Sequence, residues 1–150
     1  MVNETQIIPQ MPTFGRRMYR TSYLILLSSY SAWYNNLVVC LALSLLVFIT
    51  SVMYWSNPTN GWKRKLDMTC VMVSLIYQLC YLALWLDLEA YLAYLACITL
   101  MALYYGMARY YGRVLLDYDM SSRYHVGVHI VGNISNLVLY DALGVNYLGW

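Results

Sequence analysis

The run LVVCLALSLLVFITSVMY, residues 37–54, decides the fold, because it offers eighteen consecutive positions without a charged, amide or imidazole side chain. As a helix rising ~1.5 Å per residue it covers about 27 Å, close to the ~30 Å thickness of a bilayer's hydrocarbon core. The run lies inside a longer apolar and aromatic stretch, Thr21 to Trp55, which exceeds what one crossing needs. Residues 37–54 are therefore read as the first span. Tyr23 to Tyr34 is expected to lie along the interface or to form a helical lead-in, with Asn35-Asn36 marking the break.

Outward from this run the chain repeats the pattern of apolar segment and polar break. Ser56-Asn57-Pro58-Thr59-Asn60-Gly61 is a turn, since Pro fixes its own φ and Asn and Gly tolerate the conformations a reversal requires. Trp62-Lys63-Arg64-Lys65 returns the chain to a water boundary, where aromatic and cationic residues collect. The spacing predicts a second span over 66–86 and a third over 88–108. The acidic link Asp87-Leu88-Glu89 between them is short enough to force an antiparallel hairpin. Residues 109–123 read as an amphipathic connection in which Arg113 and Asp117 have the spacing of a helical ion pair. A last span is expected over 125–144, with Asp141 reaching the opposite interface.

Composition agrees with this reading. Hydrophobic residues make up 61% of the 150 positions and charged residues only 11%, whereas soluble domains carry about 25% charged residues. The expected fold is all-α, a polytopic transmembrane helical bundle of about four spans, forming a single membrane domain over 1–150 with a polar N-terminal arm over 1–20. The arm shows no cleavable signal pattern, so the first span is expected to direct its own insertion. A net charge of +2 without an extended basic patch excludes nucleic acid as a partner. The expected partners are the lipid bilayer and other membrane proteins or further copies of this chain. Cys40, Cys70, Cys80 and Cys97 all fall in apolar segments without CxxC spacing and read as small core residues.

The bias of Lys and Arg toward the first and third loops places those loops on the cytoplasmic or matrix side, and with four spans both termini then face the other side. The cluster Arg16, Arg17 and Arg20 contradicts that placement.

Chemistry-bearing residues concentrate on two helical faces. At about 100° per residue, His125, His129, Gly132, Asn133, Asn136 and Tyr140 fall within roughly one third of the last span's circumference. Asp67, Cys70, Ser74, Tyr77, Gln78 and Tyr81 share a face of the second span. Ser74 and Asn133 lie seven and eight residues beyond Asp67 and His125, which puts both about 10–12 Å below a common interface. A shared interhelical polar seam involving Ser74, Gln78, Asn133 and Asn136 is the expectation.

Two uses of this seam compete. His125 and His129, at i and i+4, could ligate zinc with Asp67 as a third ligand and leave a position for water. Alternatively these polar groups fix helix register through hydrogen bonds worth about 0.6 kcal/mol each in a bilayer. A third use, a proton or small-solute pathway, follows from the tendency of intramembrane ionisable groups to mark such routes. The chain has no P-loop, GxSxG elbow, CxxCH or dinucleotide fingerprint.

The stretch Tyr124-His125 through His129, with an aspartate and a serine on another span, resembles part of the site of the membrane hydrolase superfamily of alkaline ceramidases and adiponectin-type receptors. That resemblance implies a zinc-dependent hydrolase in which His125 and His129 match the paired histidines of the final helix, and Asp67 and Ser74 stand for the aspartate and serine. The superfamily has seven spans and a third histidine, and this chain has two histidines in all. The Tyr-Trp-x-Asn-Pro turn, the Lys/Arg-Leu-Asp motif after it and Gly-Asn-x-x-Asn in the last span are similar to small, uncharacterised multi-span membrane proteins of algae and large DNA viruses. The leading expectation is a non-catalytic subunit or scaffold of a membrane assembly.

Overall fold

The computed structural model describes residues 12–58 and 61–148, so the first eleven residues of the polar arm and Thr59-Asn60 of the turn lie outside the described residues. The described chain is a bundle of α-helices: α1 (Pro12–Ser22), α2 (Ile25–Tyr34), α3 (Val38–Ser56), α4 (Trp62–Cys80), a 3-10 turn (Leu82–Trp85), α5 (Leu88–Arg113) and α6 (Tyr118–Leu148). Four segments are long and apolar enough to cross a membrane: 38–56, 62–85, 88–113 and 118–144. They fit an integral membrane protein.

The breaks between helices follow from local chemistry. Asn36 turns the chain at φ 57°, a left-handed conformation that Asn adopts more readily than most side chains. Asp87 caps α5 by accepting the Ala90 N–H at 2.8 Å, which satisfies one of the orphan donors of the first turn. Asp117 does the same for α6, accepting from Met120 N–H at 3.0 Å.

That cap corrects the sequence reading of 109–123. Rather than forming a separate amphipathic connection, the segment contributes the last turn of α5, the first turns of α6 and a tight turn over 114–117. Arg113 and Asp117 therefore share no helix, and the acid of Arg17 and Arg123 is Asp119 instead. Leu116 within the turn has φ 55°, a conformation that costs a non-glycine residue about 1 kcal/mol or more.

Residues 25–34 form the helical lead-in that is one of the two expectations, with the break at Asn35-Asn36. Helix α2 packs against both α3 and α6, and α1 packs against the same two helices. At Tyr23 and Leu24 the hydrogen bonding tightens to i→i+3, from Tyr23 N to Arg20 O, and from Leu24 N to Thr21 O. Leu24 keeps right-handed helical angles, so α1 and α2 form one bent rod. Its buried positions Met18, Ser22, Ile25, Ser29 and Ala32 alternate by four and three residues, the spacing of a continuous helical seam.

Two clusters of buried side chains sit at opposite ends of the bundle. Phe14, Met18, Tyr54 and Trp55 form one. Ala32, Cys40, Leu82, Ala83, Tyr94, Leu139, Tyr140 and Leu143 form the other. Helix α5 packs chiefly along α6, and the approach is close. A Cβ at Gly127 would lie 2.6 Å from the Tyr104 ring, and one at Gly112 would lie 2.8 Å from Ser121 Oγ.

Gly127→Ala should therefore force Tyr104 aside and cost about 1–3 kcal/mol, the usual range for overpacking. Its thermal midpoint in detergent should fall, and adding Tyr104→Ala should restore part of the loss. Additive losses in the double variant would show that this contact does not set the α5–α6 distance.

Candidate functional site

The polar face of α6 is almost wholly occupied by the α1–α2 rod. At one end, Arg17 Nη1 donates to Asp119 Oδ1 and, at 2.7 Å, to Ser122 Oγ. Further along, the His129 ring faces the backbone of Thr21. In the middle, Ser28 Oγ donates to Asn133 Oδ1 at 2.6 Å and accepts from Asn136 Nδ2 at 3.2 Å. At the far end, Ser31 Oγ and Asn35 Nδ2 both donate to Asp141 Oδ1, at 2.8 and 3.1 Å. The Asn35 side chain occupies the space that a Cβ on Gly144 would take. A polar seam thus follows α6 from Asp119 to Asp141, about 33 Å at ~1.5 Å per residue.

The expected partnership of spans two and four is met differently. Asn133 and Asn136 turn to Ser28 on α2, and Gln78 reaches α6 through Tyr140. Gln78 Nε2 donates to the Tyr140 hydroxyl at 3.0 Å and to Ser74 Oγ at 3.3 Å, while Tyr94 donates to Gln78 Oε1 at 3.3 Å. One amide therefore joins α4, α5 and α6. Asp67 does not share this knot: its Oδ1 accepts from Ser51, at 2.5 Å, and from Thr50, at 3.3 Å, both on α3.

His125 and His129 do stand together, with ring centroids 5.5 Å apart. The ring of His125 is enclosed by Trp55 at 5.7 Å, Tyr105 at 6.3 Å and Phe14 at 6.5 Å. A zinc centre needs three or four nitrogen, sulfur or oxygen ligands around one point. Among the described residues no three His, Cys, Asp or Glu side chains gather in that way. Aromatic rings take the places around His125 that further ligands would need, and Asp67 is engaged by the α3 hydroxyls. The residues present do not fit a zinc site.

Known protein families, curated proteins and solved structures offer no match to this chain.

The geometry of the site is one of internal satisfaction. Among the described residues no buried side-chain nitrogen or oxygen lacks a hydrogen-bond partner. Between His129 and Asp141 the seam is carried by two amides and hydroxyls, groups that hold position in place of exchanging charge. A cleft of about 450 Å³ opens beside it, lined by Asn36, Cys40, Tyr77, Tyr81, Trp85 and Leu143 among others. Its size is that of a small-molecule site, but no acid, base or histidine lines it.

The residues missed from sequence are those of α2, namely Ser28, Ser31 and Asn35. Their i, i+3, i+7 spacing inside an apolar run was the available signal, since that spacing places them on one helical face.

The Ser28→Ala, Asn133→Ala and double variants should show positive coupling. The expected interaction energy is about 0.6–1.7 kcal/mol, the range for interhelical hydrogen bonds in membranes. Equilibrium unfolding in mixed micelles provides the measurement, and zero coupling would remove Ser28 from the seam.

Proposed function

We propose that this integral membrane protein is a non-catalytic subunit or scaffold of a larger membrane assembly. The observation that carries this reading is the asymmetry of α5. Only 6% of its most apolar window is buried, against about a third in the windows of α3 and α6. The polar groups of the interior are paired among themselves, so the chain's unspent contact capacity lies on its outside.

The outward face of α5 supports the reading further. Ala96, Thr99, Ala102 and Gly106 lie on it and are exposed, and a Cβ at Gly106 would meet nothing within 4 Å. Small residues at such spacing let a second helix approach closely, and in lipid that approach is what favours association. A neighbouring membrane protein or a second copy would supply that helix.

Crosslinking in native membranes should trap the chain in species larger than a monomer, and Gly106→Leu should reduce that yield several-fold without lowering the amount of folded chain. Recovery of the wild type only as an unpartnered monomer would sink the reading. Purified protein in vesicles loaded with a pH dye should leave the proton leak at the level of empty vesicles. A faster leak that His129→Ala abolishes would favour the pathway use of the seam instead.

A further inference from the structure

We propose that the bent rod α1–α2 is a fifth membrane crossing, which gathers every Lys and Arg of the chain at one membrane face, the cytoplasmic or matrix-type face, against anionic lipid headgroups. The proposal rests on the integral-membrane reading of α3 and α6 and is independent of the assembly role.

Contacts at both ends of the rod fix its path. Helix α3 crosses the bilayer from Val38 to Ser56. The rod meets the far end of α3, where the Phe14 and Trp55 rings are 5.8 Å apart and a Cβ at Gly15 would lie 3.6 Å from Pro58. It meets α3 again partway down, with Tyr23 and Phe48 rings 5.4 Å apart. Its last residue, Tyr34, then joins the near end of α3 through the short turn at Asn35-Asn36-Leu37. A segment touching both ends of a crossing helix must itself traverse the same depth. From Arg20 to Asn35 the charge-free part of the rod rises about 22 Å, and the arginines at its start reach the headgroups by extending their side chains toward the interface.

Helix α6 gives the same result independently. Pairings run in parallel order, Arg17 to Asp119, Ser28 to Asn133 and Ser31 to Asp141. A rod lying flat at one interface could reach only one end of α6.

The surface of the rod is suited to lipid. Leu26, Leu27, Tyr30, Trp33 and Tyr34 face outward and are 40–66% exposed, with the Tyr30 ring in contact with those of Trp33 and Tyr34 at the Asn35 end. Aromatic residues favour that depth, at the water boundary. The serines that dilute its hydropathy, Ser22, Ser28, Ser29 and Ser31, are all turned inward and buried. Ser22 and Ser29 bond to their own helix, at Met18 O and Ile25 O, so the rod presents few polar groups to hydrocarbon.

With five crossings the charge conflict in the sequence disappears. Arg16, Arg17 and Arg20 stand on α1, and Lys63, Arg64 and Lys65 open α4. Arg109 and Arg113 close α5, and Arg123 lies in the first turns of α6. These are all nine Lys and Arg of the chain, and the path of the helices brings them to one end of the bundle. The other end holds Asp87, Glu89 and Asp141. Such one-sided cationic bias is the distribution that orients membrane proteins, and cations at that face are attracted to an anionic leaflet.

The test is a two-sided tag experiment on the full chain in sealed membranes. Epitope tags are placed, in separate variants, at the N-terminus, in the 57–61 turn and at the C-terminus. Five crossings predict that the N-terminal and turn tags share one side, the cytoplasmic one, and that the C-terminal tag lies on the other. An N-terminal tag on the side opposite the turn tag, together with the C-terminal tag, would overturn the proposal in favour of four crossings. A depth measurement guards against a tag that disturbs insertion. A nitroxide side chain at Leu27 should be as open to oxygen and as shielded from a water-soluble nickel chelate as one at Leu46 of α3. Ready access of the chelate to position 27, at the level of an interfacial residue, would equally overturn it.

Discussion

Hydrocarbon offers no hydrogen-bond partner, and the arrangement of this protein follows from that constraint. A polar group left unpaired in the bilayer core costs several kcal/mol, so each polar side chain in an apolar helix must find its complement on another helix. Ser28 answers Asn133 and Asn136, Gln78 answers Tyr94 and Tyr140, and the α3 hydroxyls answer Asp67. Each pairing also fixes how two helices are rotated and how far one is shifted along the other. A slide of one residue, about 1.5 Å, would break the Gln78 knot on two sides at once. Specificity in this bundle thus comes from a few polar contacts, while apolar surface alone would tolerate many arrangements.

Much of this arrangement was legible in the sequence. Long apolar runs located α3, α4, α5 and α6, because crossing length and the absence of charge are properties of single segments. The polar face of α6 was legible for the same reason, since it depends only on helical periodicity. Partner choice was not. Depth matching paired α6 with α4, yet nothing in either segment says which neighbour lies opposite. That the rod α1–α2 runs the length of α6 was not legible either, because a central break divides it into two short helices and its serines lower its hydropathy. Ser28 and Ser31 bond to α6 while Ser22 and Ser29 bond to their own helix, and only the packed structure shows that all four are buried.

Close approach complements the hydrogen bonds. Gly127 admits the Tyr104 ring and Gly144 admits the Asn35 side chain, so α6 is held tightly on two sides by residues that carry no functional group at all. The histidine pair lies within this packed region. His125 is enclosed by three aromatic rings, a setting in which the imidazole serves as one more flat side chain with a polar edge.

The pairing of α1–α2 with α6 joins residues 102–110 positions apart. In a chain made at about 5–20 residues per second, the wait between the two is roughly 5–20 s. For that interval the serines of the N-terminal rod exist without the amides and carboxylate that will later receive them. The rod must remain in the polar headgroup zone, or be sheltered by the insertion machinery, until α6 emerges. Helix α6 is thus the one that admits the earlier-made α1–α2 rod to the hydrocarbon, and this part of the fold closes only when segments more than a hundred residues apart meet.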